Sequence, residues 1–338
     1  MVTTPGIHHV TAIGGDPERN AAFYVGVLGL RLVKRTVNHD DTDTYHLYYG
    51  DGVGTPGTNV TFFPWTDAGR QGEFGAGQTQ STAFSIPADS VDYWADRLDA
   101  HGVGYEREER HGETVLRFAD PDGIGLELVA GDGERPGEPW EAGPVPAEHQ
   151  VRGFYGVTLA VAEIGPTAEV LEGIGFERVE EGAAVRAADA SSGDGRESDG
   201  RVRFDTGADR IGTVVDLVET DVPRGTMGVG TVHHVAFELP DEAAQAEMRE
   251  RLAEFGTDAT EVIDRTYFRA IYAREPGGVL FEFSTPDPGF AVDEDVDSLG
   301  EQLVLPAWLE DRREGIEASL PPFDYAYEPG SETASADD

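Results

Sequence analysis

The sequence predicts an α+β fold in which four βαβββ modules are paired into two domains with curved mixed sheets. One pattern, a strand followed by a helix and then by several strands, occurs four times along the chain. The starts of the first and third repeats match each other, residues 6–11 with residues 153–158. A length of 338 residues is enough for two domains of ordinary size.

The first module covers about residues 6–65. Its helix is predicted to begin with Asp16 as N-cap and Pro17 as the first helical residue. One side of that helix is predicted to carry Phe23, Val27 and Leu30. The predicted strands of this module lie at 8–13, 30–37, 44–49 and 59–63.

The second module covers about residues 79–130, and its predicted helix carries Val91, Trp94 and Leu98 on one side. Its predicted strands lie at 82–86, 115–118 and 125–129. The third module covers about residues 153–219.

The fourth module runs from Thr231 to a last strand predicted at 279–284. Its helix is predicted to end at Gly256, because glycine readily adopts the left-handed conformation that follows a helix. The apolar side of this helix consists of Met248, Leu252 and Phe255.

These modules predict two domains joined by a linker that is rich in Pro, Gly and Glu, at 131–146. The predicted boundaries are 1–135 for modules one and two, 146–300 for modules three and four, and 301–338 for a C-terminal extension. A stretch rich in Ser, Gly and Asp at 187–200 predicts a solvated insertion. The tail after about Tyr327 is acidic and rich in small residues, which predicts disorder.

Acidic residues outnumber basic residues by 65 to 25, which gives a net charge of −40. Lys34 is the one lysine of the chain. Since aromatic and aliphatic residues are present in ordinary amounts, we predict a folded, salt-adapted protein of a halophile and not a disordered acidic chain. The same charge makes nucleic acid and anionic membranes unfavourable partners.

The chain has no cysteine, which excludes disulfides, iron–sulfur clusters and thiolate zinc sites. It has no run of roughly 18 apolar residues, and its start does not resemble a signal peptide. We therefore expect a cytoplasmic protein. The sequence leaves the oligomeric state open, with a homo-oligomer as one alternative.

A His-His pair opens a strand-like run in the first module, as His8 and His9, and again in the fourth, as His233 and His234. Glu282 follows within an apolar run. Because alternate residues of a strand face opposite sides, one imidazole of each pair can face a metal. We predict that the second of each pair is the ligand, together with the glutamate. Two histidines and one carboxylate hold a divalent metal by one face and leave the other face open.

Modules two and three lack this ligand set. At the positions of His9, His234 and Glu282 they carry Gly156, Ser81 and Glu127. A lone strand histidine is more often structural or exposed than a metal ligand, but two equivalent histidines in one half of a pseudo-symmetric chain favour a metal. Since no histidine accompanies Glu127 at the equivalent ligand positions, we predict a structural role for it.

These residues resemble the pattern of the vicinal-oxygen-chelate superfamily, which includes glyoxalases, extradiol dioxygenases and fosfomycin-modifying enzymes. Within it, the chain is most similar to the two-domain hydroquinone-type ring-cleaving dioxygenases. The matching stretches lie at 6–11, 33–36, 45–49, 54–58, 233–237 and 276–282, and those at 293–295 and 298–300 are also similar.

The resemblance implies that His9, His234 and Glu282 bind Fe(II), although their chemistry also permits Mn(II). It further implies pocket roles for five residues that stand in matching contexts. These are His8, Thr11, His233, Arg265 and Tyr272. Arg269 and Tyr267 lie close by in sequence and are alternatives to the last two.

The predicted function is therefore an Fe(II)-dependent, extradiol-type ring-cleaving dioxygenase that acts on a hydroquinone or a catechol with O2. We predict His233 as the base that accepts a phenolic proton, with His8 as the second choice. Arg265 would stabilise developing negative charge. A flat substrate favours an aromatic wall. Four phenylalanines are available for it, although core packing is the more common role: Phe62, Phe63, Phe281 and Phe283.

Three other functions compete with this prediction. Glyoxalase-like lyases and isomerases use four protein ligands, and the strand at 59–63 has no carboxylate for the fourth. Fosfomycin-type transferases resemble only half of this chain. The third alternative is a metal-free small-molecule binding protein of the same fold, which bound iron with open coordination positions would exclude.

Overall fold

The computed structural model describes residues 2–66, 70–134, 136–179, 200–325 and 327. The predicted insertion, except Gly200, and the predicted tail after Tyr327 lie outside these residues. Within the described residues, two sheets of eight strands each and five short α-helices form the fold, which confirms the predicted α+β class. No helix in the described part of the chain is long and apolar enough to cross a membrane.

The strands follow one another along the chain as β1 (Ile7–Gly14), β2 (Arg31–Asn38), β3 (Asp41–Gly50), β4 (Asn59–Pro64), β5 (Gln78–Pro87), β6 (Tyr105–Arg110), β7 (Glu113–Ala119), β8 (Gly125–Gly131), β9 (Gly153–Val161), β10 (Glu177–Arg178), β11 (Val202–Asp205), β12 (Val214–Glu219), β13 (Thr231–Glu238), β14 (Ile263–Asp264), β15 (Arg269–Arg274) and β16 (Leu280–Ser284). The helices are α1 (Pro17–Ala21), α2 (Val91–Ala100), α3 (Ile164–Ile174), α4 (Glu242–Glu254) and α5 (Arg313–Ser319).

Each sheet joins one module from the first half of the chain to one module from the second half. The first sheet has the order β14-β15-β16-β13-β1-β4-β3-β2, and the second has the order β10-β11-β12-β9-β5-β8-β7-β6. Modules one and four therefore form the first sheet, and modules two and three form the second. The division predicted from chain order, 1–135 and 146–300, cuts across both sheets, because the antiparallel pairs β1–β13 and β5–β9 complete each sheet across the linker.

The first helix is shorter than predicted. Asp16 caps it, as expected, by accepting a hydrogen bond from Arg19 N, but the α-helix gives way to a π-helical turn at Ala22–Val27. Gly29 has a positive φ of 70°, so Leu30 lies beyond the helix and reaches the core from the connection to β2. The sequence pattern also missed β6, whose mostly charged residues form an edge strand.

Alternation along β1 separates the core from the opposite face of the first sheet. Val10 and Ala12 belong to the main hydrophobic core, whereas His9 and Thr11 point to the other side. All eight residues of β1 are buried, so the polar face of this strand is enclosed by protein. This enclosed polar face contains the candidate site.

The single lysine of the chain is fully buried, with 0% of its side chain exposed. Lys34 Nζ donates a hydrogen bond of 2.6 Å to Asp293 and another to Glu294, and it lies 4.8 Å from the centre of the Tyr267 ring. Tyr267 in turn donates a hydrogen bond of 3.2 Å to Asp293. This group, which we call the lysine lock, ties β2 of module one to the β14–β15 turn and to the segment after β16.

A buried carboxylate couples the two sheets and makes stability depend on pH. Asp120, after β7, accepts hydrogen bonds from Tyr24 Oη and from the backbone N–H groups of Asp122 and Ile124. Burial raises the pKa of Asp120 to about 6.

Because the pKa of Asp120 is raised in the folded state, protonated Asp120 adds to the free energy of unfolding. This contribution is fully present below about pH 4 and is lost as pH rises through about 6. The free energy of unfolding of the wild type minus that of Asp120→Asn should fall by up to about 3 kcal/mol between pH 4 and pH 7. Urea unfolding of both proteins in molar KCl measures this difference. A difference that is flat with pH would contradict the raised pKa.

Candidate active site

Three neighbouring strands of the first sheet bring two imidazoles and a carboxylate to one point. His9 lies on β1, His234 on β13 and Glu282 on β16, and all three are buried. The two Nε2 atoms lie 3.2 Å apart, and Glu282 Oε2 lies 2.8 Å from His234 Nε2 and 3.6 Å from His9 Nε2. The three predicted ligands are therefore close neighbours.

The separations between these atoms suit one metal ion. Nitrogen and oxygen ligands at about 2.1 Å from an ion, and at right angles to each other, lie about 3 Å apart. Glu282 Oε2 is buried and accepts no hydrogen bond among the described residues, whereas Oε1 accepts one of 2.5 Å from Ser284. A buried carboxylate oxygen without a partner destabilises the fold, and a bound cation would supply that partner. His9, His234 and Glu282 could therefore hold a divalent metal by one face.

A β-bulge in each central strand brings the rings of a histidine pair together. The pairing of β1 with β13 skips His8 on one strand and His233 on the other. Bulges bend a strand and re-aim its side chains. As a result, the Nδ1 atoms of His8 and His9 lie 2.8 Å apart, and those of His233 and His234 lie 2.7 Å apart. Strict strand alternation, used in the prediction, would have turned the two rings of each pair to opposite sides.

His8 lies behind His9 and holds it in one tautomer. Its Nε2 is 3.2 Å from the carbonyl oxygen of Thr285, which can only accept, so Nε2 carries the proton of the neutral ring. Burial, with His9 beside it, lowers the pKa of His8 to about 3, so the ring is neutral at pH 7. His8 Nδ1 then accepts a hydrogen bond from His9 Nδ1–H, which leaves the lone pair of His9 Nε2 free for a metal.

His233 supports His234 in the same way but also lines the cavity. If His234 binds a metal through Nε2, its Nδ1 must donate to His233 Nδ1. The proton of a neutral His233 then lies on Nε2. Burial lowers the pKa of His233 to about 3, so this neutral form is the relevant one.

Thr11 does not line the cavity but starts a hydrogen-bond chain that ends there. Its Oγ1 is 2.7 Å from Thr61 Oγ1, which is 2.9 Å from His46 Nε2. Tyr48 Oη lies 2.8 Å from His46 Nδ1, and both His46 and Tyr48 line the cavity. Sequence reasoning assigned these two residues no role. Their spacing of two on a strand, which puts both on one face, was the signal available.

Arg265 and Tyr272 both line the cavity. Arg265 Nε donates a hydrogen bond of 3.0 Å to Tyr272 Oη, and its Nη1 donates one of 3.0 Å to Asp40. The sequence alternatives lie elsewhere. Arg269 is an exposed residue paired with a glutamate, and Tyr267 belongs to the lysine lock.

The cavity above the three candidate ligands has a volume of about 180 Å³. A cavity of about 150 Å³ is known to hold benzene in another protein, so this one is of a size for a single aromatic ring. Phe63 and Phe268 contribute aromatic wall, whereas Phe62, Phe281 and Phe283 lie in the core. A groove of about 700 Å³ beside the second sheet is larger, but it contains no group of metal-binding side chains among the described residues.

The cavity combines the ionised carboxylate of Glu282 with the neutral imidazoles of His39, His46 and His233. Burial raises the pKa of Glu282, but His9 and His234 beside it outweigh burial and hold that pKa well below the usual range. Burial lowers the pKa of His46 well below its usual value and that of His39 to about 4. The site at pH 7 therefore offers negative charge at one point, as a cation requires.

The second sheet repeats the framework of the site without its ligands. Strand pairing places Ser81 opposite Thr158 and Gly156 opposite Ala83, in the same arrangement as the two histidines on the first sheet. Glu127 accepts hydrogen bonds from both Nη atoms of Arg110. The predicted structural role of Glu127 agrees with this ion pair.

The fold and the site correspond to a known superfamily. The sequence profile of the Glyoxalase/Bleomycin resistance protein/Dioxygenase superfamily matches residues 6–128 and 157–283. The chain belongs to this superfamily, which confirms the predicted resemblance. Glyoxalase I from Zea mays shares the fold, with a TM-score of 0.59 over 83% of this chain and 92% of that one, at 15% identity.

Within the superfamily, the chain groups with ring-cleaving dioxygenases. It is 45% identical to the provisionally named ring-cleaving dioxygenase MhqO of Bacillus subtilis, over 95% of this chain and 97% of that protein. It is 35% identical to a chlorohydroquinone/hydroquinone 1,2-dioxygenase of Sphingobium indicum, over 90% and 92%. A crystal structure of a provisionally assigned Bacillus subtilis dioxygenase matches with a TM-score of 0.86 and 44% identity, over 96% and 99%. These relatives confirm the predicted class of enzyme.

Proposed function

We propose that the protein is an Fe(II)-dependent ring-cleaving dioxygenase of the extradiol type, acting on a hydroquinone or a catechol. The observation that carries the proposal is the meeting of His9, His234 and Glu282 at a cavity of a size for one aromatic ring. The hydroquinone named for the Sphingobium indicum relative makes hydroquinones the first substrates to test. Mn(II) is the alternative metal, because the ligand types suit both ions.

The reaction joins one diol and one O2 into one ring-opened product. The carbon–carbon bond between a hydroxyl-bearing carbon and its unsubstituted neighbour breaks, and each carbon gains one oxygen atom. The first carbon becomes a carboxylic acid and the second an aldehyde, so the ring is oxidised and O2 is reduced. A bound Fe(II) would supply the path for electrons between diol and O2, which react slowly on their own.

His233 acts as a hydrogen-bond donor in this proposal. Its Nε2–H is uncommitted among the described residues, because only Nδ1 is bonded, to His234. A donor aimed into a buried cavity stabilises negative charge that develops on oxygen. The tautomer set by His234 thus favours donation by His233 over the base role predicted from the sequence.

His46 and Tyr48 form a hydrogen-bonded pair at the cavity wall. His46 Nε2 can donate to Thr61, which leaves Nδ1 to accept from Tyr48 Oη. Because burial holds the pKa of His46 well below its usual value, the ring stays neutral, and Tyr48 Oη can accept a hydrogen bond from a substrate hydroxyl. Arg265 also lines the cavity, where its fixed positive charge would stabilise a bound phenolate.

The test is oxygen uptake by protein that has been loaded anaerobically with Fe(II) in molar KCl, with a panel of hydroquinones and catechols. We expect uptake together with a new ring-fission absorbance, and loss of both in His234→Ala. Ser81→Ala, at the matching position of the second sheet, serves as the control and should keep both signals. No uptake with any diol by folded, verified iron-loaded protein would refute the proposal.

We also propose that the protein works in a salt-rich cytoplasm. A net charge of −40 supports a salt-rich cytoplasm, where ions screen the repulsion among carboxylates. The lyase or isomerase alternative is less well supported, because β4 contributes Thr61 and no carboxylate next to β1.

A further inference from the structure

The strand pairings of the two sheets correspond position by position around the glutamate. On the first sheet, Glu282 pairs with Tyr272 of the neighbouring strand β15. On the second sheet, Glu127 pairs with Arg117 of the neighbouring strand β7. A tyrosine hydroxyl beside the first carboxylate therefore has no counterpart beside the second.

The same correspondence relates two arginines. Each stands just before the turn of the hairpin that ends its sheet, Arg265 at the β14–β15 turn and Arg110 at the β6–β7 turn. Each is followed by a non-glycine residue with a positive φ, Thr266 at 73° and His111 at 53°. The two guanidinium groups therefore start from equivalent backbone positions.

The two arginines have different partners. Arg110 donates hydrogen bonds to both carboxylate oxygens of Glu127, one of them at 3.2 Å. Arg265 instead donates to Tyr272 Oη at 3.0 Å, and no hydrogen bond or ion pair joins it to Glu282 within the described residues. Tyr272 is at the same time the cross-strand neighbour of Glu282. The hydroxyl thus stands between a guanidinium and the carboxylate that it would otherwise pair with.

We propose that Tyr272 is a positioning residue that keeps the Arg265 guanidinium off Glu282, so that the carboxylate stays available to a metal ion. The inference rests on the metal centre of the proposed function. A guanidinium that binds both oxygens of a carboxylate in a buried site forms a strong pair and competes with any other cation. The second sheet shows the outcome of that pairing, with a carboxylate that accepts hydrogen bonds from Arg110 at both oxygens and from Ser81 at Oε1.

Metal affinity of three variants tests this role. Apo-protein is titrated with Mn(II) in molar KCl, and free Mn(II) is followed by its electron paramagnetic resonance signal. We expect Tyr272→Phe to weaken binding by about 10- to 100-fold, in the range found for residues that support metal ligands. Removing the competing cation as well, in Tyr272→Phe/Arg265→Met, should restore most of the wild-type affinity, and Arg265→Met alone should keep it.

Each other outcome has a distinct meaning. Wild-type binding in Tyr272→Phe would overturn the inference. Equally weak binding in Tyr272→Phe and in the double variant would also overturn it, because the hydroxyl would then act on Glu282 directly and not through Arg265. Failure of folded wild-type protein to bind any divalent metal would instead overturn the proposed metal centre. Thermal unfolding of each apo-protein shows that the variants remain folded.

Discussion

Glu282→Gln is expected to remove the bound metal and the ring-cleaving activity while leaving the apo-protein folded. Glutamine has the shape of glutamate but carries no charge to balance a cation. Residues that only support metal ligands typically contribute a factor of about 10 to 100 to metal affinity. Loss of a ligand itself should therefore weaken metal binding by more than about 100-fold, or about 2.7 kcal/mol. Metal content after anaerobic loading and oxygen uptake with hydroquinone measure the two effects.

The second sheet provides the matched control for this substitution. Glu127 occupies the position equivalent to Glu282, but it pairs with Arg110, whose side chain is 12% exposed. Glu127→Gln should therefore keep metal and activity and lower the free energy of unfolding by about 2 kcal/mol, between the values for exposed and for fully buried pairs. Full metal occupancy in Glu282→Gln would contradict the assignment of Glu282 as a ligand.

Lys34→Met is expected to lower the free energy of unfolding by about 3–5 kcal/mol, the usual loss when one partner of a buried ion pair is removed. The methionine would fill the space but leave Asp293 and Glu294 without their cation, and the side chain of Glu294 is only 9% exposed. Urea unfolding in molar KCl measures the loss.

Two further variants distinguish the loss of the lysine lock from the loss of a positive charge in general. Arg107→Met removes an exposed cation, 51% accessible, that pairs with an exposed aspartate, and it should change stability by less than about 1 kcal/mol. Adding Asp293→Asn and Glu294→Gln to Lys34→Met should recover part of the loss, because the neutral side chains need no cation. An unchanged unfolding midpoint in Lys34→Met would show that the lock does not hold the fold.

The sequence repeat was enough to predict the three candidate ligands. His9 and His234 stand at equivalent places in modules one and four, and strand pairing puts both close to Glu282. The supporting residues were harder to predict. His46 and Tyr48 belong to a hydrogen-bond chain that only a folded sheet assembles, and sequence spacing does not encode it.

The grouping of modules could not be predicted from chain order. Nothing local in the sequence says that β1 pairs with β13, because that pairing depends on which exposed strand edges meet after each module has formed. The charged strand β6 escaped prediction for a related reason, since an edge strand needs no apolar face. Conversely, the helix with Val91, Trp94 and Leu98 was predicted well, because packing requires the 3.6-residue period there.

Burial of the only lysine has a consequence for proteolysis. A protease that cuts after lysine has a single target bond in the whole chain, inside β2, and native packing protects it. Cleavage into two fragments can then occur only when the lysine lock and its strand open. The rate of that cut, measured against protease concentration, would report the opening equilibrium at one residue without any added label.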